Sequence, residues 1–242
     1  MGQVPSADAP YLLVGNGRLS RHLQHYLGLE GLEWRLWSRA SREPLEHALE
    51  DVGTALLLIP DDAIETFLER HADPSIGTTW VHCSGSLSTP RAFAAHPLMT
   101  FGDELYDLEV YRRIPFVCDR GGPSFPELLP GLPNPHFVIE PGDRPLYHAA
   151  CAMAGNFTTL LWQHAYTVFE ERLGLPRSAL FPYLERVADN LQRASDPLTG
   201  PLARGDRRTV ERHLAALDGD PYRSVYASFV AAHGEALRRE ER

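Results

Sequence analysis

The chain has 242 residues, 43% hydrophobic and 23% charged, with a net charge of −9. That balance excludes whole-chain disorder and leaves room for one or two domains with a sizeable core. The negative charge argues against a nucleic-acid or membrane partner, and because all 23 cations are Arg, Schiff-base chemistry, Lys general bases and a P-loop Lys are excluded.

Residues 1–10 read as a flexible lead-in without the charged-then-apolar order of a signal peptide. Tyr11-Leu12-Leu13-Val14 predicts a strand. Gly15-Asn16-Gly17-Arg18-Leu19-Ser20 follows at once, and Leu19, Leu23 and Leu27 recur at helical spacing, which predicts a helix over about 17–28. Trp34–Trp37 is a second strand, and Ala55–Ile59, bounded by Pro60, reads as a strand buried on both faces of a parallel sheet. Asp61 or Asp62 is placed to cap a helix carried by Ile64, Phe67 and Leu68. Thr79–Cys83 is a fourth strand, ending at Ser84-Gly85-Ser86. In 91–140, Pro-rich loops surround two further strands, Ile114–Cys118 and Phe137–Ile139. Leu146 to Leu173 contains no Pro and one Gly and predicts a long helix. Helices near 179–194, 207–217 and 222–239 follow, the last with Asp220 as N-cap and Pro221 at N1. The fold expected is α/β: a Rossmann-type, doubly wound, mostly parallel sheet over 11–142, then an all-helical domain over 143–242.

The glycine loop at 15–20 has the strand-then-helix context that a dinucleotide fingerprint requires. Gly15 permits the tight turn, and Gly17 lets a pyrophosphate approach the backbone. The helix N-terminus then offers free N–H groups and a positive dipole end, at Arg18 and Leu19. Ser20 stands where Gly or Ala is usual. An NAD site would place an acid about 20 residues on; the chain instead reads Trp37-Ser38-Arg39-Ala40-Ser41-Arg42. Ser38, Arg39 and Arg42 suit a 2′-phosphate, so NADP(H) is expected rather than NAD(H). Pro60, Asp61, Ser84 and Gly85 end strands three and four and are expected to line the cofactor crevice.

Three Cys (Cys83, Cys118, Cys151) form no CxxC, so reduced thiols and a cytoplasmic location are expected, with no Cys-based zinc site. No apolar run is long enough for a spanning helix. Neither an H-E-x-x-H nor a G-x-S-x-G motif occurs, so no metal and no hydrolase triad are expected.

Several stretches together resemble bacterial Rossmann-like proteins with a C-terminal helical domain of unknown function, in the 6-phosphogluconate-dehydrogenase-like group. Pyrroline-5-carboxylate reductase and ketopantoate reductase are better understood relatives. The matching stretches are Gly15–Arg18, Ile59–Ile64, His82–Gly85, His96–Phe101, Tyr147–Ala150 with Asn156, and Leu198–Asp206. The resemblance implies a Rossmann domain, a helical dimerisation domain giving a homodimer, and NADP-linked redox chemistry. It also admits a deazaflavin coenzyme, which would leave Arg39 and Arg42 unexplained. Met99 stands where the family often has Gln, and the Lys used by several relatives is absent.

His148, Ala152 and Asn156 recur at i, i+4 and i+8, on one face of a helix. His148 is the acid/base candidate and Asn156 the orienting group. His96 is expected at a cleft wall as a substrate-binding residue; His82 is read as a packing residue. Thr199 and Arg204 lie in a Gly/Pro-shaped loop and are candidates for binding a substrate carboxylate, while Asp206 is placed to cap the next helix. The resulting expectation is an NADP(H)-dependent oxidoreductase acting on a small-molecule carbonyl or imine compound that carries a carboxylate. The alternative is a nucleotide-binding regulatory or scaffold protein without turnover.

Overall fold

The computed structural model describes residues 9–73 and 77–240, so most of the expected lead-in lies outside the described residues. Seven strands form one sheet: β1 (Tyr11–Val14), β2 (Trp34–Trp37), β3 (Thr54–Leu57), β4 (Thr79–His82), β5 (Phe93–Pro97), β6 (Phe116–Asp119) and β7 (His136–Ile139). Their spatial order is β2-β1-β3-β4-β5-β6-β7, parallel throughout except where β6 runs against β5.

The pleat explains why β1 is apolar at every position. Tyr11 and Leu13 point to one face with Leu56 and Val81; Leu12 and Val14 point to the other with Ala55, Leu57 and Trp80. On the first face lie α1 (Arg18–Leu29), α4 (Leu108–Arg112) and α5 (Phe125–Leu128). There α1 buries Leu23, Tyr26 and Leu27, a spacing that stacks them on one helical face. Ile64 and Leu68 of α3 (Asp61–His71), with Leu45 and Ala48 of α2 (Leu45–Ala48), cover the second face. Each such leucine contributes about 1.5–3 kcal/mol by leaving water. The sheet is therefore covered on both sides, as expected of a doubly wound domain.

The expected strands at 11–14, 34–37 and 79–83 recur within a residue. The third strand ends at Leu57, two residues early: the Leu58 N–H still donates to the Val14 carbonyl at 2.8 Å, and the chain bends away at Ile59. β5 is additional: its Ala-rich run between Pro90 and Pro97 carries little strand signal.

Close contacts divide the chain into two units, Met1–Phe157 and Thr158–Arg242. The division falls inside the stretch expected as one long helix. That stretch comprises α6 (Arg144–Ala152), a π-helical turn (Met153–Phe157), α7 (Thr158–Thr167) and a second π-helical turn (Val168–Arg172). The second unit continues with α8 (Phe181–Arg193), α9 (Arg207–Ala216) and α10 (Arg223–Glu240). Asp220 accepts the Tyr222 N–H at 2.8 Å and pairs with Arg172 at 2.9 Å, and the His164 ring stacks on Tyr222 at 3.9 Å. Asp206 caps α9 by accepting the Thr209 N–H at 3.1 Å, as its position in the sequence predicts. Among the described residues, no helix is long and apolar enough to cross a membrane.

Candidate functional site

The strand order reverses between β1 and β3, and ligands of open α/β sheets bind beyond the carboxyl ends of the strands at that point. A groove of about 680 Å³ occupies this place. Its walls gather Gly15, Asn16, Gly17, Ser38, Arg39 and Pro60 from the expected cofactor residues, and add Trp37, Ile59, Asp62 and Phe67.

The two glycines of the loop serve different ends. Gly15 has φ +114°, and a Cβ there would lie 2.5 Å from the Leu58 carbonyl oxygen, so only glycine fits. Gly17 is the N-cap of α1 in extended conformation, and a Cβ there would meet nothing within 4 Å. α1 has no side-chain cap and no acidic residue in its first turn, which leaves its leading N–H groups for an anion. Ser20 is fully buried and accepts from the Gln24 amide at 3.1 Å, so the small hydroxyl takes the packing place of Gly or Ala. Leu19 packs its side chain on the core and offers the site only its backbone. Arg18 pairs with Asp103 at 3.2 Å, both exposed.

After β2, the Ser38 N–H donates to Ser41 Oγ at 2.9 Å and the Ala40 N–H to Ser38 Oγ at 3.3 Å. Each hydroxyl thus accepts a loop N–H and keeps its own proton to donate. Arg39 and Arg42 form no salt bridge among the described residues. Two hydroxyl donors and two unpaired guanidinium groups fit a phosphate dianion.

A second cluster forms at the ends of β4 and β5 and the start of α6. Asp61 is not a helix cap: Pro60 holds that position, and Asp61 Oδ2 accepts from Ser84 Oγ at 2.5 Å and Ser86 Oγ at 3.2 Å. The carboxylate takes two hydroxyl donors from across the crevice in place of an N–H of its own helix. Ser84 Oγ also accepts the Leu87 N–H at 3.0 Å, which fixes the Ser84–Leu87 turn.

Arg144, wholly buried, pairs with Asp119 and donates to the Ser84 carbonyl at 3.2 Å and the Val117 carbonyl at 3.1 Å. It fastens the first turn of α6 to the ends of β4 and β6. One turn later, His148 lies against Gly85 so closely that a Cβ there would stand 2.4 Å from its Cδ2. His96 meets His148 with ring centres 5.7 Å apart, and its Nδ1 lies 2.7 Å from the Tyr147 hydroxyl. Burial, then the charges of His148 and Arg144, push His96 down to about 4. His82, fully buried on β4, is likewise pushed to about 4 by burial and then Arg144, and neither of its ring nitrogens has a hydrogen-bond partner among the described residues. Both imidazoles are therefore neutral at neutral pH. Burial raises the Tyr147 hydroxyl, and the neighbouring Cys151 raises it further.

The structure thus gathers Asp61, Ser84, Gly85, His96 and His148. Asn156 lies exposed in the π-helical turn, whose wider winding breaks the spacing that relates it to His148 in an α-helix. Thr199 and Arg204 belong to the second unit, in the turn before α9, where the Arg204 N–H donates to the Gly200 carbonyl at 3.2 Å. The sequence gives no sign of Arg144–Asp119, because the pair depends on strand order. Tyr147 stands inside a recognised stretch, but its role depends on β5. Among the described residues, no group of three or more His, Cys, Asp or Glu side chains is placed to hold a metal ion.

Residues 123–232, less than half of the chain, match a family described as a domain of unknown function, DUF2520. No curated protein matches the chain. Among solved structures, the chain is similar to protein BF3122 from Bacteroides fragilis, a candidate NADP oxidoreductase, with TM-score 0.74, 20% identity, and coverage of 95% of this chain and 99% of that one. Protein TM1727 from Thermotoga maritima gives 0.68 at 24% identity, over 96% and 100% of the two chains. A reductive aminase from Aspergillus terreus, solved with NADPH and ethyl levulinate, gives 0.61 at 15% identity, over 96% and 94%. At these identities the likeness establishes a common architecture: this chain has the Rossmann-type α/β fold with a helical C-terminal region that those proteins share.

Proposed function

We propose that the protein is an NADP(H)-dependent oxidoreductase of the 6-phosphogluconate-dehydrogenase-like group. Its substrate would be a small compound with a C=O or C=N bond and a carboxylate. The observation that carries the reading is the groove beyond β1, β2 and β3, where an uncapped helix N-terminus, an open Gly17 and the unpaired Arg39 share one wall system. NADPH, when bound, supplies the hydride. The A. terreus reductive aminase, solved with NADPH, supports the choice of cofactor through the common fold.

The chain's own residues would divide the remaining work. Gly15–Leu19 hold the pyrophosphate; Ser38, Arg39 and Arg42 hold the 2′-phosphate; Pro60, Asp61, Ser84 and Gly85 shape the crevice. His148, whose ring makes no hydrogen bond among the described residues, is the proposed acid/base. Asn156 is retained as an orienting group, and Thr199 and Arg204 as carboxylate-binding groups. We include a homodimer in the reading, because Leu146, Met153 and Phe157 are 73%, 59% and 53% exposed.

Thermal unfolding with NADPH, NADP+ and NADH tests this directly. A ligand at 100 times its Kd adds about 2.7 kcal/mol. NADPH should stabilise the wild type well beyond NADH, and Arg39→Ala should abolish that preference while leaving NADH unaffected. No shift with any nucleotide would withdraw the reading. Binding without NADPH oxidation across a panel of keto acids and imines would favour a nucleotide-binding regulator.

A further inference from the structure

The Tyr147 hydroxyl lies 2.7 Å from His96 Nδ1, with the Cys151 thiol as its other neighbour, and has only one proton to give. An imidazole nitrogen is a good acceptor and a thiol a poor one. The favoured arrangement therefore has the Tyr147 O–H donating to His96 Nδ1. His96, neutral because it is buried beside Arg144, must then carry its single ring proton on Nε2. That nitrogen has no hydrogen-bond partner among the described residues. The His96 ring stands edge-to-face with His148, the proposed acid/base, and within reach of the charges of Asp61 and Arg144.

We propose that Tyr147 is a positioning residue that locks His96 as the Nε2–H tautomer, so that His96 presents a neutral hydrogen-bond donor to the heteroatom of the substrate's C=N or C=O bond. This rests on the oxidoreductase reading and adds a catalytic role to a residue expected only to bind. The donor would meet negative charge as it builds on the heteroatom during hydride addition. No proton leaves His96 in that role; the oxygen or nitrogen of the reduced bond would take its proton from His148.

The tautomer can be read by two-bond 1H–15N correlation NMR on the full-length protein, with His96→Gln identifying the resonance. The expected wild-type pattern has Nε2 protonated and Nδ1 bare. Tyr147→Phe should move His96 toward a mixture of tautomers. Among imines and carbonyls that the protein reduces, it should also lower kcat about tenfold, with the NADPH Kd within twofold. A wild-type His96 protonated on Nδ1 overturns the proposal, with no variant needed. So does a Tyr147→Phe protein with unchanged tautomer or unchanged kcat. An NADPH titration of the same samples separates the two ideas: absent binding sinks the oxidoreductase reading, whereas binding with the wrong tautomer sinks only this one.

Discussion

Two glycines two residues apart make opposite predictions. Gly15 is required by the backbone, since its φ is positive and Leu58 leaves no space for a Cβ. Gly15→Ala should cost about 2 kcal/mol or more of stability, measured by urea unfolding. Gly17→Ala should leave the unfolding midpoint nearly unchanged and weaken NADPH binding at least tenfold, because its Cβ would enter space that only a ligand uses. Equal stability losses in both would mean that the loop serves the fold alone. His82 supplies a second test. Its folded pKa, about 4, lies below the ordinary 6.5, so the unfolded chain binds the proton more readily. Its contribution is fully present above pH 6.5 and is lost as the pH falls toward 4, a swing of about 3 kcal/mol. His82→Leu should flatten the acid limb of the stability curve relative to wild type. Near neutral pH it should be neutral or stabilising by about 1–2 kcal/mol, since two unpartnered nitrogens disappear. Identical acid limbs in the two proteins would refute this account.

Among the elements, α6 depends most on a single side chain. Arg144 joins it to Asp119, Ser84 and Val117 from a fully buried position. Removing one partner of a buried ion pair typically costs about 3–5 kcal/mol, and Arg144→Met should fall in that range by denaturant unfolding. A loss under about 1 kcal/mol would show that α6 is held by other contacts. This dependence also marks the limit of what the sequence reveals. β1, α1 and β2 were legible because their apolar spacing and glycine loop are local signals. β5, α4 and α5 were not: each is five residues or fewer, and its burial is decided by strands far away in the chain. The same division runs through the site. Gly15, Gly17, Arg39 and Ser84 could be named from motif and strand end. Tyr147, Asp119 and Arg144 act through pairings that exist only once β4, β5 and β6 are side by side. Asp61 is legible as a strand-end residue of the crevice, whereas the cap expected of it gives way to the Ser84 hydroxyl, which lies 23 residues on.

For the whole molecule, the exposed Leu146, Met153 and Phe157 make the chain more apolar outside than a monomer requires. Sedimentation equilibrium should give twice the mass of 27.1 kDa, and Leu146→Glu with Phe157→Glu should shift it toward the single chain. A wild-type monomer at all concentrations would remove the homodimer from the reading. Two of the three thiols are withdrawn from oxidation during such work, since burial pushes Cys83 up to about 12 and Cys118 to about 11, well away from reactivity.

The position of β1 has a consequence for biosynthesis. Of the seven strands it leaves the ribosome earliest, yet it sits inside the sheet, and its neighbours Trp34 and Thr54 are made later. Tyr11 and Tyr26 then wait for the Pro130 carbonyl and the Asn134 amide to receive their hydroxyl protons. A nascent chain therefore carries β1 before either neighbouring strand exists, and carries its tyrosine anchors unsatisfied for longer still. The first unit can close cooperatively only when residues near 134 have emerged, so its assembly is governed by the last contacts synthesised rather than the first.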